Sequence, residues 1–129
     1  MTSLYAYLSY RDAPAAIGWL EAVGFELVRR QDGPDGTVVH AEVRLGDVVV
    51  MVASYDADYE ISPLRGTSVG HGLYLLVVDV DATHTRAIDA GGREVYAPEQ
   101  TEWGTWRSRV LDPEGYEWSF GTYEPGATW

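Results

Sequence analysis

The feature that most constrains the fold of this chain is an internal repeat at an offset of 67 residues. The segment LSYRDAPAAIGWLEAVGFELV, residues 8–28, aligns with LLVVDVDATHTRAIDAGGREV, residues 75–95. In both copies an apolar run predicts a strand, and Asp12 and Asp79 stand where a helix N-cap is expected. Gly24 and Gly91 stand where the C-terminus of a helix favours a left-handed residue. The chain is therefore predicted to contain two copies of one strand–helix–strand unit.

The same offset continues into a pair of hairpins. Residues 38–54 align with residues 105–121, and in each copy two strand-like runs are joined by a turn rich in glycine and aspartate. A polar, turn-rich stretch separates the two copies. The pattern predicts an α+β fold of one domain, 1–129, made of two βαβββ repeats. Repeat one covers 1–55, a linker covers 56–70, and repeat two covers 71–125.

Alternation along the strands assigns side chains to the two faces of each sheet. In the strand HAEVRL, His40 and Glu42 lie on one face, and Ala41 and Val43 lie on the other. We expect the helix to cover the apolar face, because its own apolar stripe has to be buried. The more polar faces of the two sheets are then left to line a cleft.

Composition excludes several classes of function. The formal net charge of −11 argues against a nucleic-acid partner, since phosphates attract a basic face. The charge is compatible with a cationic ligand, and also with a purely solubilising role. The absence of cysteine excludes disulfides and thiolate chemistry. No apolar run is long enough for a membrane helix, and no signal peptide is visible, so a cytoplasmic protein without a membrane partner is expected.

Aromatic residues supply the main signal for a ligand site. The candidates are Tyr5, Tyr7, Tyr74, Trp103 and Trp106. Aromatic linings are typical of small-molecule pockets, although the same side chains also serve as structural packing. Trp118 and Phe120 have the opposite strand parity and are predicted to lie in the core beneath a helix.

Polar candidates lie on the same strand faces as the tyrosines. His40 and Glu42 are suited to proton transfer, although a hydrogen-bonded strand face is the more frequent role of such a pair. The offset of 67 places Arg107 and Arg109 at the equivalent positions of the second copy. His84, on the second predicted helix, is expected at the surface.

Arranged in this way, the chain resembles the vicinal oxygen chelate superfamily, which includes glyoxalase I, extradiol dioxygenases and bleomycin-binding proteins. Residues 7–26, 40–52, 73–92 and 109–123 carry the resemblance. Its most specific parts are the VVDVDA strand-to-helix junction and the Asp-Pro-Glu-Gly turn before an aromatic strand. The resemblance implies a cup-shaped open barrel with helices on the outer faces, and usually a homodimer. Trp129 is a candidate for a subunit contact, and Trp19 is a candidate for a contact either between helix and sheet or between subunits.

Enzymes of that superfamily usually hold one divalent metal through His and Glu side chains. The resemblance places three ligand positions at Tyr5, Gly72 and Ser119, and the offset of 67 from Ser119 places the fourth at Val52 or one position to either side. These residue types are poor ligands, or no ligands, for the divalent ions concerned. The resemblance therefore implies a member without the usual metal site, and no cofactor is predicted.

The function predicted from these features is the metal-independent binding of a small molecule, for example an aromatic or cationic antibiotic. The predicted ligand-binding residues are Tyr5, Tyr7, His40, Glu42, Tyr74, Trp103, Trp106, Arg107, Arg109 and Ser119. One alternative is a glyoxalase- or dioxygenase-type enzyme that uses an atypical metal site or an acid/base pair around His40 and Glu42. A structural or regulatory module that binds a partner is a third possibility.

Overall fold

The computed structural model describes residues 3–55 and 72–126. The chain divides into two compact units, Met1–Glu60 and Ile61–Trp129. We call residues 3–55 the first module and residues 72–126 the second module. The predicted linker 56–70 and Trp129 lie outside the described residues. Each module has the predicted order of strand, helix and three strands, so the α+β assignment with two βαβββ units is confirmed.

The first module is a four-stranded mixed sheet with one helix. Its elements are β1 (Ala6–Tyr10), α1 (Ala13–Val23), β2 (Glu26–Asp32), β3 (Val38–Leu45) and β4 (Val48–Ser54). The strand order is β1-β4-β3-β2. Strand β1 runs parallel to β4, and the other neighbours are antiparallel.

The second module repeats this architecture. Its elements are β5 (Leu73–Leu76), α2 (Val80–Asp89), β6 (Arg93–Gln100), β7 (Trp106–Leu111) and β8 (Glu117–Gly121). The strand order is β5-β8-β7-β6, with β5 parallel to β8. Among the described residues, neither helix is long and apolar enough to cross a membrane.

Both helices begin at the predicted aspartates. The Asp12 carboxylate accepts the backbone N–H of Ala15 at 3.1 Å, and the Asp79 carboxylate accepts that of Ala82 at 3.0 Å. Each bond satisfies one of the N–H groups that a helix N-terminus leaves without a partner. Gly24, with a φ of 136°, ends α1 in a conformation that a residue with a side chain rarely adopts. The repeat therefore encodes the boundaries of the helices directly.

Each helix covers the apolar face of the sheet in its own module. In the first module Ala41 and Val43 of β3 are buried, whereas His40 and Glu42 on the opposite face are half-exposed. The buried hydrophobic residues of the second module are Leu75, Val80, Ala87, Val110, Trp118 and Phe120. Trp118 and Phe120 therefore belong to the core, as their strand parity predicted. Trp19 is also buried within its module.

The prediction that His84 lies at the surface is wrong. His84 is buried, and its Nε2 hydrogen-bonds to Glu94 Oε1 at 2.7 Å. The physical reason is the helical period, because positions 80, 84 and 87 form one stripe on α2. Val80 and Ala87 on this stripe are buried as well, so His84 faces the sheet together with them.

Candidate functional site

The second module contains a cavity of about 260 Å³ whose wall is mainly aromatic. Its lining comes from β5, from the turn between β6 and β7, from the start of β7 and from the segment after β8. The lining residues are Tyr74, Thr101, Trp103, Thr105, Trp106, Arg107 and Tyr123. We call this cavity the aromatic cavity. Its aromatic side chains are themselves partly exposed, so the cavity is accessible from solvent.

The turn between β6 and β7 is closed by a threonine clamp. Thr101 Oγ1 lies 2.7 Å from Thr105 Oγ1 and accepts the backbone N–H groups of Thr105 and Trp103 at 3.2 and 3.3 Å. Gly104 has a φ of 81°, in the left-handed region that favours glycine. These local bonds place Trp103 at the edge of the cavity.

Trp106 is held both through its backbone and through its ring. Its backbone N–H donates to Thr122 Oγ1 at 2.9 Å, and its backbone carbonyl accepts from the Thr122 N–H at 3.0 Å. The indole Nε1–H donates to Asp81 Oδ1 at 3.3 Å. Because both ends of the residue have partners, the indole is held in a defined orientation along the cavity wall.

Arg107 brings a positive charge to the lining, and that charge is paired. Its Nε and Nη2 each lie 3.0 Å from Glu99 Oε1. The guanidinium also stacks over the ring of Tyr96, at 5.3 Å from the ring centroid. Arg107 therefore lines the cavity as part of an ion pair.

Tyr74 contributes both a ring and a hydrogen bond. Its hydroxyl donates to the backbone carbonyl of Tyr123 at 2.6 Å. Its ring lies so close to the backbone of Gly121 that a Cβ there would come within 2.9 Å of the ring carbons. Burial raises the pKa of Tyr74 above its ordinary value of 10.0, because a buried phenolate loses hydration.

We expect Tyr74 to ionise at a higher pH than an ordinary tyrosine. A pKa raised in the folded state means that the contribution of Tyr74 to stability is complete below the unfolded value of 10.0 and is lost as the pH rises through the folded-state pKa. Phenolate absorbance during alkaline titration of the wild type and Tyr74→Phe measures this, because their difference isolates one of the nine tyrosines. A difference curve with its midpoint at or below 10.0 would contradict the assignment.

Four of the predicted site residues come together in the aromatic cavity: Tyr74, Trp103, Trp106 and Arg107. Arg109 and Ser119 lie on the same face of the second sheet, where Arg109 Nε donates to Ser119 Oγ at 2.9 Å. The Arg109 guanidinium also stacks on Tyr96, at 5.4 Å from the ring centroid.

Sequence reasoning missed three lining residues, Thr101, Thr105 and Tyr123. A signal for the two threonines exists in the segment TEWGT, since a threonine at each end of a short glycine-containing turn is suited to close it. Tyr123 follows β8 and carries no comparable local signal. Its place in the cavity wall depends on Tyr74, whose hydroxyl donates to the backbone carbonyl of Tyr123.

The remaining predicted residues belong to the first module. Tyr5 and Tyr7 are exposed. His40 Nε2 donates to Glu42 Oε2 at 2.7 Å, so the strand-face alternative describes this pair. That hydrogen bond, more than any other influence, lowers the pKa of Glu42 below its ordinary value of 4.5. A carboxylate with a lowered pKa is a weak general base at neutral pH.

The positions that correspond to the metal ligands do not fit a divalent ion. In the second module the carboxylate of Glu117 occupies the space beside Gly72, where a Cβ would lie 2.5 Å from Glu117 Oε2. Glu117 in turn pairs with Arg109 Nη1 at 3.4 Å. Ser119 accepts the hydrogen bond from Arg109. An arginine and its carboxylate partner thus fill these two positions. Across residues 3–55 and 72–126, no group of three or more His, Asp or Glu side chains is placed to hold a metal.

The fourth ligand position, predicted at Val52 or one position to either side, falls on Met51. Val52 is fully buried on the helix-covered face of the first sheet. Met51 pairs with Tyr7 across β1 and β4, as Ser119 pairs with Tyr74 across β5 and β8. Met51, and not Val52, is therefore the counterpart of Ser119. The offset changes by one residue because the hairpin of the second module is longer.

Comparisons with known proteins agree with this architecture. The family model described as Glyoxalase/Bleomycin resistance protein/Dioxygenase superfamily matches residues 4–120. An uncharacterised protein of Mycobacterium bovis is 36% identical over 126 residues, which cover 92% of this chain and 82% of that protein.

Solved structures show the same similarity. TioX from Micromonospora sp. ML1 is 32% identical, with a TM-score of 0.74 over 96% of this chain and 100% of that chain. A bleomycin resistance determinant encoded on transposon Tn5 is 20% identical, with a TM-score of 0.66 over 96% of this chain and 99% of that chain. At that identity the likeness concerns the fold alone.

Proposed function

Because the chain belongs to the glyoxalase/bleomycin resistance protein/dioxygenase superfamily, we propose that it binds a planar aromatic small molecule, such as an aromatic antibiotic, without a metal. The proposed binding site is the aromatic cavity of the second module. The ligand leaves this site chemically unchanged, so the protein acts by sequestration. The homodimer expected from the family resemblance is part of the proposal, and analytical ultracentrifugation of the purified protein measures it.

The observation that carries the proposal is the convergence of four aromatic side chains on one cavity. Tyr74, Trp103, Trp106 and Tyr123 line a space of about 260 Å³. An engineered apolar cavity of about 150 Å³ accommodates benzene, so the larger space is suited to a fused two-ring system. Stacking on partly exposed tyrosine and tryptophan rings supplies apolar contact area with little loss of side-chain entropy.

The residues offer less support for the enzymatic alternative. His40 and Glu42 are bonded to each other, and the lowered pKa of Glu42 does not favour proton abstraction at neutral pH. Arg109, Glu117 and Ser119 fill the ligand positions of the second module with a bonded network. A site that contains a bonded guanidinium is not suited to hold a divalent ion.

Isothermal titration calorimetry with a panel of two- and three-ring aromatic compounds tests the proposal. We expect binding by the wild type and a loss of affinity of about five- to thirtyfold in Trp106→Ala, because one stacking partner contributes on the order of 1–2 kcal/mol. Tyr55→Ala is the matched control, since it removes an exposed aromatic ring of the first module. Absence of binding across the panel, or equal losses in both variants, would contradict the proposal.

Two further measurements separate binding from catalysis. Chromatography of a bound compound after release is expected to return it unchanged. Metal analysis of purified protein is expected to find less than stoichiometric divalent metal. A stoichiometric metal that is lost in His40→Ala, or a converted compound, would favour the enzymatic alternative.

A further inference from the structure

The charges around the aromatic cavity point to a preference among planar ligands. We propose that the cavity selects a planar aromatic cation over neutral and anionic molecules of the same shape, and that Asp81 and Glu99 set this preference. The inference rests on the proposed function, because it concerns the ligand class of the same site. Its support comes from three features of the second module.

The first feature is the wall itself. Tyr74, Trp103 and Trp106 present aromatic rings to one space. The face of an aromatic ring carries negative electrostatic potential, and a cation over such a face gains about 0.5–2 kcal/mol. A neutral molecule of the same shape gains the stacking contacts without this attraction. An anion is repelled by the same ring faces.

The second feature is the carboxylate of Asp81. Asp81 lies in the first turn of α2, is exposed to solvent, and accepts the indole N–H of Trp106 at 3.3 Å. The bond holds a negative charge at the edge of a ring that lines the cavity. A cation stacked on that indole lies within about one Debye length, roughly 8 Å in physiological salt, so the attraction is only partly screened. Asp81 is therefore both a positioning residue for Trp106 and a source of charge preference.

The third feature is the ion pair that offsets the charge of Arg107. A free arginine in the wall would repel a cationic ligand. The guanidinium of Arg107 instead makes two contacts of 3.0 Å with Glu99 Oε1 and covers the ring of Tyr96. Its positive charge is thus offset by the Glu99 carboxylate. Without Glu99 the same arginine would favour an anion.

Three nearly isosteric probes test this inference: N-methylquinolinium as cation, quinoline as neutral molecule and quinoline-2-carboxylate as anion. Binding is measured by calorimetry at about pH 8, where quinoline is uncharged. We expect wild-type protein to bind the cation about tenfold more tightly than quinoline, the equivalent of about 1.4 kcal/mol. The anion is expected to bind more weakly than quinoline. Raising the salt concentration should reduce the preference for the cation.

Variants assign the preference to individual residues. Asp81→Asn keeps an oxygen acceptor for Trp106 and removes the charge, so the ratio of the affinities for N-methylquinolinium and quinoline should fall about threefold. Glu99→Gln should lower affinity for the cation by a similar factor and raise affinity for the anion. Asp89→Asn is the matched control, because Asp89 is exposed at the other end of α2. Eight residues of helix, about 12 Å, separate it from Asp81.

The outcomes distinguish the proposed function from the preference for a cation. Failure of all three probes to bind would overturn the proposed function and the inference with it. Equal affinity for N-methylquinolinium and quinoline would overturn the inference and leave the proposed function standing. An equal effect of Asp89→Asn and Asp81→Asn would show that the preference comes from net charge, and would overturn the role of Asp81.

Discussion

Replacing Trp118 with alanine is expected to lower the free energy of unfolding by about 3–5 kcal/mol, the range for a large aromatic residue removed from a core. Trp118 is fully buried in β8, and its indole N–H donates to Asp112 Oδ2 at 3.2 Å. Asp112 Oδ1 accepts the backbone N–H groups of Glu114 and Tyr116, each at 3.0 Å. The substitution therefore opens a cavity and also removes a donor from the aspartate that organises the β7–β8 turn.

Urea denaturation followed by circular dichroism measures this effect. Trp103→Ala is the matched control, since the same residue type is lost from a position that is 62% exposed, and a change within about 0.5 kcal/mol is expected. The phenylalanine of Trp118→Phe fills most of the space but lacks the N–H donor. We therefore expect this variant to lower the free energy of unfolding by about 1–2 kcal/mol. If the free energy of unfolding of Trp118→Ala falls by less than about 1 kcal/mol, the prediction is contradicted. The core of the second module would then have closed around the smaller side chain.

Gly121→Ala is expected to weaken the proposed binding in the aromatic cavity by at least about tenfold. The added methyl group would lie 2.9 Å from two ring carbons of Tyr74 and still closer to its hydroxyl oxygen. Because Gly121 is buried in β8, the ring and not the strand has to move. Displacement of Tyr74 breaks its bond to the Tyr123 carbonyl and so disturbs two walls of the cavity.

Calorimetry with the tightest compound of the aromatic panel measures the loss. Gly18→Ala is the control, because a Cβ at this exposed position on α1 meets nothing within 4 Å; it should bind normally and be slightly more stable. A double-mutant cycle adds a second readout. Gly121→Ala should destabilise the protein less in a Tyr74→Ala background, because the obstructing ring is gone. Normal binding by Gly121→Ala would show that Tyr74 is not part of the binding site.

Several features of the fold were predictable because they depend on local periods. Asp12 and Asp79 were recognised as N-caps because the strand, the acidic residue and the helix follow one another within a few residues. The period of two along a strand placed Trp118 and Phe120 in the core. Tyr74 was singled out by its strand face, Trp103 and Trp106 were singled out as aromatic residues of one short segment, and the three meet in one cavity.

The errors arose where a position depends on contacts between distant segments. Val52 was assigned by a constant offset, but the hairpin of the second module is one residue longer, and the β1–β4 register places Met51 there instead. His84 was expected at the surface because its neighbours in sequence are polar. The packing of α2 on its sheet buries it opposite Glu94. The register between two strands and the rotation of a helix about its axis on a sheet both depend on a second segment, so neither can be derived from one segment alone.

The sequence by itself determined the two βαβββ modules, the ends of their helices and the sheet face on which Trp118 and Phe120 lie. Hydrogen-bonded caps and side-chain alternation operate over a few residues, so they can be derived from the chain. The tertiary structure decided which residues meet in the aromatic cavity, that Asp81 holds Trp106 and that Glu99 pairs with Arg107. These contacts depend on strand order and sheet register, which bring together residues far apart in sequence. The repeat at offset 67 thus predicts the architecture, and packing within the second module produces the aromatic cavity.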